Sequence, residues 1–302
     1  MSGFLTEIDG IKVGHYTDKA ALTGCTAVLC EGGAVAGVDV RGCAPGTRET
    51  DLLKGYNLVE RIHAVMLCGG SAYGLDAASG AMQFLEKKGI GVSMPGGVVP
   101  IVPAAVIFDL SVGDFSVRPG KQEGYAACAA AKSGVFETGS AGAGTGATIA
   151  KLYGPQFARK GGLGTCSIEL GGGVKVGALA VVNALGELYD PDTGKLVAGA
   201  SINGRVLTNE EKMQAMAAAM GNTTIGVVAT NAVLTREEAN KLAAIAHDGL
   251  AMAIRPVHTP YDGDTFFGLS TMQVAGMPFA AILTAAVRVV SSAVLSAVGI
   301  DK

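Results

Sequence analysis

Residues 217–230 read AAAMGNTTIGVVAT. A helix-like run of alanine and methionine stops at Gly221, and a β-branched apolar run starts at once with Thr223 and Thr224. Glycine suits the stop, because it takes left-handed backbone conformations without a Cβ penalty. With no loop between the two elements, Asn222 and Thr223 fall at the exposed mouth of a strand that is otherwise apolar on both faces. Such a strand is covered on each side, by helices or by a second sheet. Asn in a turn and Thr in a strand are also ordinary placements.

The rest of the chain agrees with this picture. Short β-branched runs recur as TAVLC, AVAGVDV, HAVMLC, VKVGALAVVN and TIGVVAT. Alanine-rich helical patterns lie between them. LDAASGAMQFLEKKG sets Leu75, Ala78, Met82 and Leu85 on one stripe and ends at Gly89. GYAACAAAKSG reads as a second helix. Two later helices carry capping boxes, Thr208 with Glu211 and Thr235 with Glu238; the first is expected to run to about Met220. NALGELYDPDTGKLVAGA reads as a hairpin turning at 190–194. No repeat or flexible linker divides the chain, so one compact α/β or α+β unit is expected.

Hydrophobic residues make up 49% of the 302 positions and charged residues 16%, which favours a large core over disorder. The low charge, together with 45 glycines and no tryptophan, suggests close packing and subunit contacts over part of the surface. A net charge of −3 leaves no electrostatic footprint for nucleic acid. The cysteines at 25, 30, 43, 68, 128 and 166 form no CxxC pair and read as buried free thiols. MSGFLTEIDGIKVGHY lacks the pattern of a signal peptide, so a cytoplasmic location is expected. Segment 279–300 is apolar, but Arg288 near its centre would cost about 2.5–3.5 kcal/mol in a bilayer. A buried helix is the better account, and no membrane partner is expected.

Several motifs fall short of familiar chemistry. GAGTGA at 142–147 has the letters of a dinucleotide fingerprint, but β-like residues follow it instead of a helix. It reads as a glycine-rich turn that permits close backbone approach. Ser71 in LCGGSAYG stands at a strand-to-helix turn. Tyr73 occupies the place of the second glycine of a nucleophile elbow, so Ser71 reads as a helix N-cap. His15, His63, His247 and His258 share no metal-ligand spacing with cysteine, and Asp190 with Asp192 is too short for a calcium loop. No metal and no cofactor is therefore expected. In HTPYDGDTFFGLST, Asp262 and Asp264 are either a solvated turn into a strand or a carboxylate pair that could orient an amine or tune a base. Thr223 admits one further reading. A threonine made N-terminal by cleavage carries an α-amine with a pKa near 7.7–8.0, which can take the proton of its own hydroxyl.

As a set, DVRGCAPGTRETDLL, HAVMLCGGSAYGLDAASG, VPIVPAAVIFDL, GAGTGATIAK and NTTIGVVATNAVLT resemble the D-aminopeptidase/β-peptidyl aminopeptidase family of self-cleaving N-terminal-nucleophile hydrolases. The likeness runs from about residue 8 to 298. It implies a four-layer αββα sandwich and scission between Asn222 and Thr223 into an α chain, 1–222, and a β chain, 223–302. It also implies that Thr223 is the nucleophile, that Lys151 stands beside it and that Asn183 supplies an oxyanion hole. Many family members have serine as nucleophile and Ser-x-Glu where this chain has Asp262-Gly263-Asp264. Threonine with an acidic pair is closer to the nylon-oligomer (6-aminohexanoate oligomer) hydrolase branch. The implied function is an amidohydrolase working through an acyl-enzyme on small amide or peptide substrates. Aminopeptidase action on β-, D- or L-amino-acid peptides, or acyl transfer to an amine, are the near alternatives. An uncleaved binding or assembly protein is the rival from another class. The family habit implies a homotetramer or a larger ring.

Overall fold

The computed structural model describes residues 3–215 and 221–299. Its framework is a run of strands, most of which bury both faces. In chain order these are β1 (Lys12–Asp18), β2 (Thr23–Val40), β3 (Arg61–Cys68), β4 (Ala104–Val106), β5 (Gly162–Gly171), β6 (Val174–Asn183), β7 (Thr223–Ala232) and β8 (Thr265–Val274). With the two-residue strand Thr47–Arg48 they form a nine-stranded ladder among the described residues. Its order is β5-β6-β7-β8-β2-β3-β4 and then Thr47–Arg48, with β1 on β2. The pairs β7–β8 and β3–β4 are parallel.

The two runs TAVLC and AVAGVDV, expected as separate strands, are one strand of 18 residues. The Glu31-Gly32-Gly33 interruption is absorbed as a shift of register against β3, between Leu29 and Ala34, in the manner of a bulge. Residues before the shift pair with β1 and β3; after it, Ala34 and Val35 still pair with β3, and Val35–Val40 pair with β8. Strand β2 thus belongs to both halves of the ladder and joins them covalently.

Side-chain alternation sorts these strands into three stacked cores, which makes four layers. On β6, Val176, Ala178, Ala180 and Val182 face one outer core, while Leu179 and Val181 face the central one. On β3, Val65 and Leu67 face the centre, while Ala64, Met66 and Cys68 face the other outer core. Helices α1 (Ala77–Lys87) and α2 (Lys121–Ala129) close that second outer core with Ala77, Ala81, Leu85, Ala127 and Cys128. Two further helices close the first, α4 (Arg236–Ala253) and α5 (Phe279–Ser296). The result is the expected αββα sandwich. Helix α5 is long and apolar enough to cross a membrane, yet Ile282, Ala286, Val289 and Val290 pack into the core and Arg288 pairs with Asp192 at 3.1 Å.

Local expectations fare unevenly. Both capping boxes form: Glu211 N–H donates to Thr208 Oγ1 and Glu238 N–H to Thr235 Oγ1, each at 3.2 Å. Helix α3 is described over Asn209–Ala215, and its expected extension to Met220 lies outside the described residues. The 190–194 hairpin pairs Glu187–Tyr189 with Leu196–Ala198. Cys43 is exposed, against expectation, because it sits in a surface loop and not in a strand. Ser71 is no N-cap: it opens a 3-10 turn that Gly70 precedes, with its own φ at +53° and no capping bond.

The central core gives a direct test. Phe267 on β8 is fully buried between the two sheet layers. Phe267→Ala should cost about 3–5 kcal/mol, read as a lower guanidinium midpoint. A loss under about 1 kcal/mol would mean that the layers do not pack there.

Candidate active site

The register of three strands assembles the site at one end of the sandwich. Strand β6 runs antiparallel to β7 and sets Asn183 opposite Thr223. Strand β8 runs parallel to β7 and sets Thr265 opposite Ile225, so the Asp262-Gly263-Asp264 turn arrives beside Asn222 and Thr224. A cleft of about 240 Å³ opens over this end. Thr223 and Asn222 lie in its floor, with Phe108, Ile107, Pro45 and Tyr261 among its walls. Gly221 makes the sharp entry with φ at +88°, and a Cβ there would meet the Phe108 ring at 2.5 Å.

Thr223 is only 5% exposed. Its hydroxyl donates to the carbonyl oxygen of Asn222, the preceding residue. The same oxygen accepts the N–H of Gly263 at 3.1 Å, and the N–H of Asn222 donates to the Tyr261 carbonyl at 3.3 Å. Asn222 is therefore held at both its N–H and its C=O, the latter being the carbonyl of the 222–223 peptide.

Lys151 follows Ala150, whose φ of +60° is a left-handed conformation that a non-glycine residue adopts only under constraint. Its Nζ donates to Asn183 Oδ1 at 2.9 Å and to the Asn183 carbonyl at 3.1 Å. Burial drives its ammonium pKa from 10.5 down to about 7, and the Asp262 carboxylate offsets only part of that. Asn183 Oδ1 also accepts the Thr148 N–H at 3.0 Å, which fixes the amide's orientation. Its Nδ2 donates to the carbonyls of Phe108 at 3.1 Å and Gly221 at 3.4 Å.

Both carboxylates are buried, 2% and 1% exposed, so the reading of a solvated turn is wrong. Asp262 Oδ2 accepts Thr259 N–H at 2.7 Å and Thr259 Oγ1 at 2.6 Å. Burial, then repulsion from Asp264, raises its pKa; the Thr259 bonds and Lys151 pull the other way. Asp264 Oδ1 accepts the N–H of Thr224 at 2.6 Å, and Oδ2 pairs with His258 Nδ1 at 2.7 Å. Thr223, Lys151, Asn183, Asp262 and Asp264 thus converge, although neither carboxylate has a hydrogen bond with the Thr223 hydroxyl itself.

Histidine spacing, tested only for metals, missed His258. Its signal was the six-residue separation from Asp264 across a Pro-containing turn. The ring of His258 stacks edge-on against His247 at 4.8 Å, and burial lowers the His247 pKa to about 4. Among the described residues no group of three or more His, Cys, Asp or Glu side chains could hold a metal ion. The GAGTGA segment opens with a 3-10 turn at Gly142–Gly144 and leads into the short strand Thr148–Ile149, two residues before Lys151.

A four-layer αββα sandwich whose central strand starts on a hydroxyl residue in a cleft has the architecture of the N-terminal-nucleophile hydrolases. An L-aminopeptidase D-Ala-esterase/amidase from Ochrobactrum anthropi, described as a variant of that fold, superposes with a TM-score of 0.74 over 98% of this chain and 86% of its own, at 20% identity. A β-aminopeptidase from Burkholderia sp. gives 0.70 at 19% identity over the same shares. The chain belongs to peptidase family S58, whose sequence model matches residues 4–300. It is a hydrolase of peptide or amide bonds. An uncharacterized aminopeptidase of Mycobacterium tuberculosis is 46% identical over 297 residues, covering 92% of this chain and 84% of its own. A 6-aminohexanoate-oligomer endohydrolase of Kocuria sp. is 32% identical over 277 residues, covering 89% and 75%.

The buried lysine predicts a pH signature. Its folded pKa is depressed, so between about 7 and 10.5 the unfolded chain binds more protons than the folded one. Stability from this group is full above 10.5 and is lost as pH falls through 7. In a Thr223→Ala background, the denaturation free energy minus that of the additional Lys151→Met variant should rise from pH 7 to 10. A flat difference would contradict the depressed pKa.

Proposed function

We propose that this hydrolase matures by opening its own bond between residues 222 and 223, and then cuts amides with Thr223 as an N-terminal nucleophile. The observation that carries the reading is the Thr223 hydroxyl resting on the Asn222 carbonyl, which the Gly263 N–H also holds. In maturation the hydroxyl oxygen attacks that carbonyl carbon while its proton passes to neutral Lys151. A base that titrates near 7 is matched to this task at working pH. The C–N bond then breaks, the proton goes to the Thr223 nitrogen, and water hydrolyses the resulting ester. The products are a carboxylate at residue 222 and a free amine at Thr223.

In turnover the new amine takes the hydroxyl proton, the oxygen attacks a substrate amide and the substrate amine leaves. Water then releases the acyl group. Once the 222 end is free, the Gly221 carbonyl is no longer tied to Asn183, whose Nδ2 can donate to the substrate oxyanion. Lys151, when protonated, keeps the α-amine neutral by repulsion and stabilises developing negative charge. Asp262 and Asp264 hold the entry to β7 in place.

The walls of the cleft support a substrate class. Among the described lining residues none carries a carboxylate or a cation. A site that selects a free α-ammonium needs an anion to pair with it once it is desolvated. An uncharged cleft instead suits the interior of an oligoamide, and the relative named an oligomer endohydrolase supports that choice. Exposed Tyr56, Leu58, Phe115 and Met213 suit subunit contacts in a tetramer or larger ring.

Purified protein should run as two fragments on a denaturing gel, and Edman chemistry on the smaller should begin Thr-Thr-Ile. Thr223→Ala should remain one inactive chain of 30.3 kDa. Active wild-type protein that stays a single chain would refute the proposal. For substrate class, a 6-aminohexanoate oligomer acetylated at its amine and amidated at its carboxyl should be cut about as fast as the uncapped oligomer. Strict dependence on a free amino end would identify an aminopeptidase.

A further inference from the structure

The site holds two sets of hydrogen-bond donors, and only one of them reaches the bond proposed to open. Both hydrogens of the Asn183 amide are already engaged, with Phe108 and Gly221. The carbonyl oxygen of Asn222 accepts instead from the backbone N–H of Gly263. We propose that this N–H is the oxyanion donor of the maturation step, with Asn183 reserved for turnover. The inference rests on scission at 222–223 and names the group that makes it possible.

Gly263 is aimed by its surroundings. The carbonyls on either side of it, of Asp262 and Asp264, accept the N–H groups of Ala44 at 3.0 Å and Arg41 at 2.8 Å. The 41–46 loop thus clamps the turn from outside the cleft. A Cβ on Gly263 would stand 2.5 Å from the Ala44 carbonyl oxygen, and one on Gly42 would stand 2.2 Å from the Asp262 oxygen. Two glycines let loop and turn touch, and the contact fixes the plane of the 262–263 peptide. The Asn222 N–H, held by Tyr261, completes a short parallel bridge centred on Asp262.

The donor does its work as the carbonyl turns into an oxyanion. Attack by Thr223 Oγ on the Asn222 carbon pushes the carbonyl electron pair onto the oxygen. That oxygen already faces the Gly263 N–H, so no reorganisation is needed when the charge develops. The pair returns as the C–N bond breaks, leaving an ester between residue 222 and the Thr223 oxygen. The Gly263 N–H neither gains nor loses a proton.

A backbone donor has no pKa, and that separates it from its neighbours. The test follows first-order conversion of freshly made 30.3 kDa chain into fragments, from pH 5 to 9, for wild type, Gly263→Ala and Gly42→Ala. Gly263→Ala displaces the donor directly, while Gly42→Ala tilts the same peptide and leaves residue 263 a glycine. Both should convert at least roughly tenfold more slowly at every pH, with the midpoint of the pH profile unchanged and native circular dichroism. Wild-type rates in both variants would overturn the inference. So would a slowing that comes with a shifted midpoint, since that would locate the damage at Lys151 or the acidic pair. Should neither variant fold, hydrogen exchange in ¹⁵N-glycine-labelled Thr223→Ala protein decides: strong protection of the Gly263 amide is expected, and exchange at the free-peptide rate would overturn the inference. Wild-type protein that never converts would refute scission itself, a separate failure.

Discussion

Strand register is the constraint on which the site depends. Thr223 meets Asn183 on one side and the Asp262–Asp264 turn on the other only because β6, β7 and β8 are aligned as they are. Side chains alternate with a period of two, so a slip of one residue would turn the Thr223 hydroxyl to the opposite face. The lock is hydrophobic. Ile225, Val227 and Ala229 of β7 must enter the central core while Val228 enters the outer one, and each slip would exchange them. Ordinary apolar sorting therefore sets the positions of the groups that converge at the strand mouth. Chemistry at the strand mouth borrows its precision from packing further along the same strand.

Placing charge at the edge of such a core has electrostatic consequences. Burial alone pushes a lysine down and a carboxylate up, and here both happen within one site. Lys151 and Asp262 are drawn towards each other in proton affinity, the condition under which a proton moves between groups at little cost. Each charge is tolerated because neighbours serve it: Asn183 receives the lysine through two oxygens, and the turn 258–264 folds its own N–H groups onto the acids. The histidine against Asp264 extends this service one layer outwards. Its ring rests on His247, which burial keeps uncharged near neutral pH, so the acid faces a partner backed by apolar and neutral groups.

What was readable in the sequence was local. VKVGALAVVN is a strand from its first residue to its last, and the capping boxes and the 190–194 turn form as their residues dictate. The residues that converge at the candidate site were legible as motifs in order along the chain, through the family resemblance, and their roles are those proposed above. Features made by distant segments were not. Nothing within AVLCEGGAVAG says that one strand crosses from layer to layer, since the bulge is defined only against β3. The burial of Asp262 and Asp264 depends on the 41–46 loop, over two hundred residues away. Ser71 looked like a cap because its type and place suit one, yet the parallel pairing of β3 with β4 sends its N–H to Ile107 and its backbone left-handed. Cys43 fails for the same reason: composition can assign thiols to a core on average but cannot tell which one a loop carries outward.

Under the proposed scission, the uncut chain and the cut enzyme would be chemically opposed states of one pocket. Before scission the Thr223 nitrogen is an amide and can accept no proton, and the Asn183 amide is spent on Gly221. The cleft would therefore lack both the base and the free donor that the proposed turnover requires. The proposed opening of one bond would supply them together, because the nitrogen that would become an amine and the carbonyl that would let go of Asn183 belong to adjoining peptides. The nascent chain would thus be inert towards foreign amides while it folds, and its first substrate would be the single bond that folding itself brings under the Thr223 hydroxyl. Activity would then be conditional on correct register, since a misaligned β7 could neither cut itself nor expose its nucleophile.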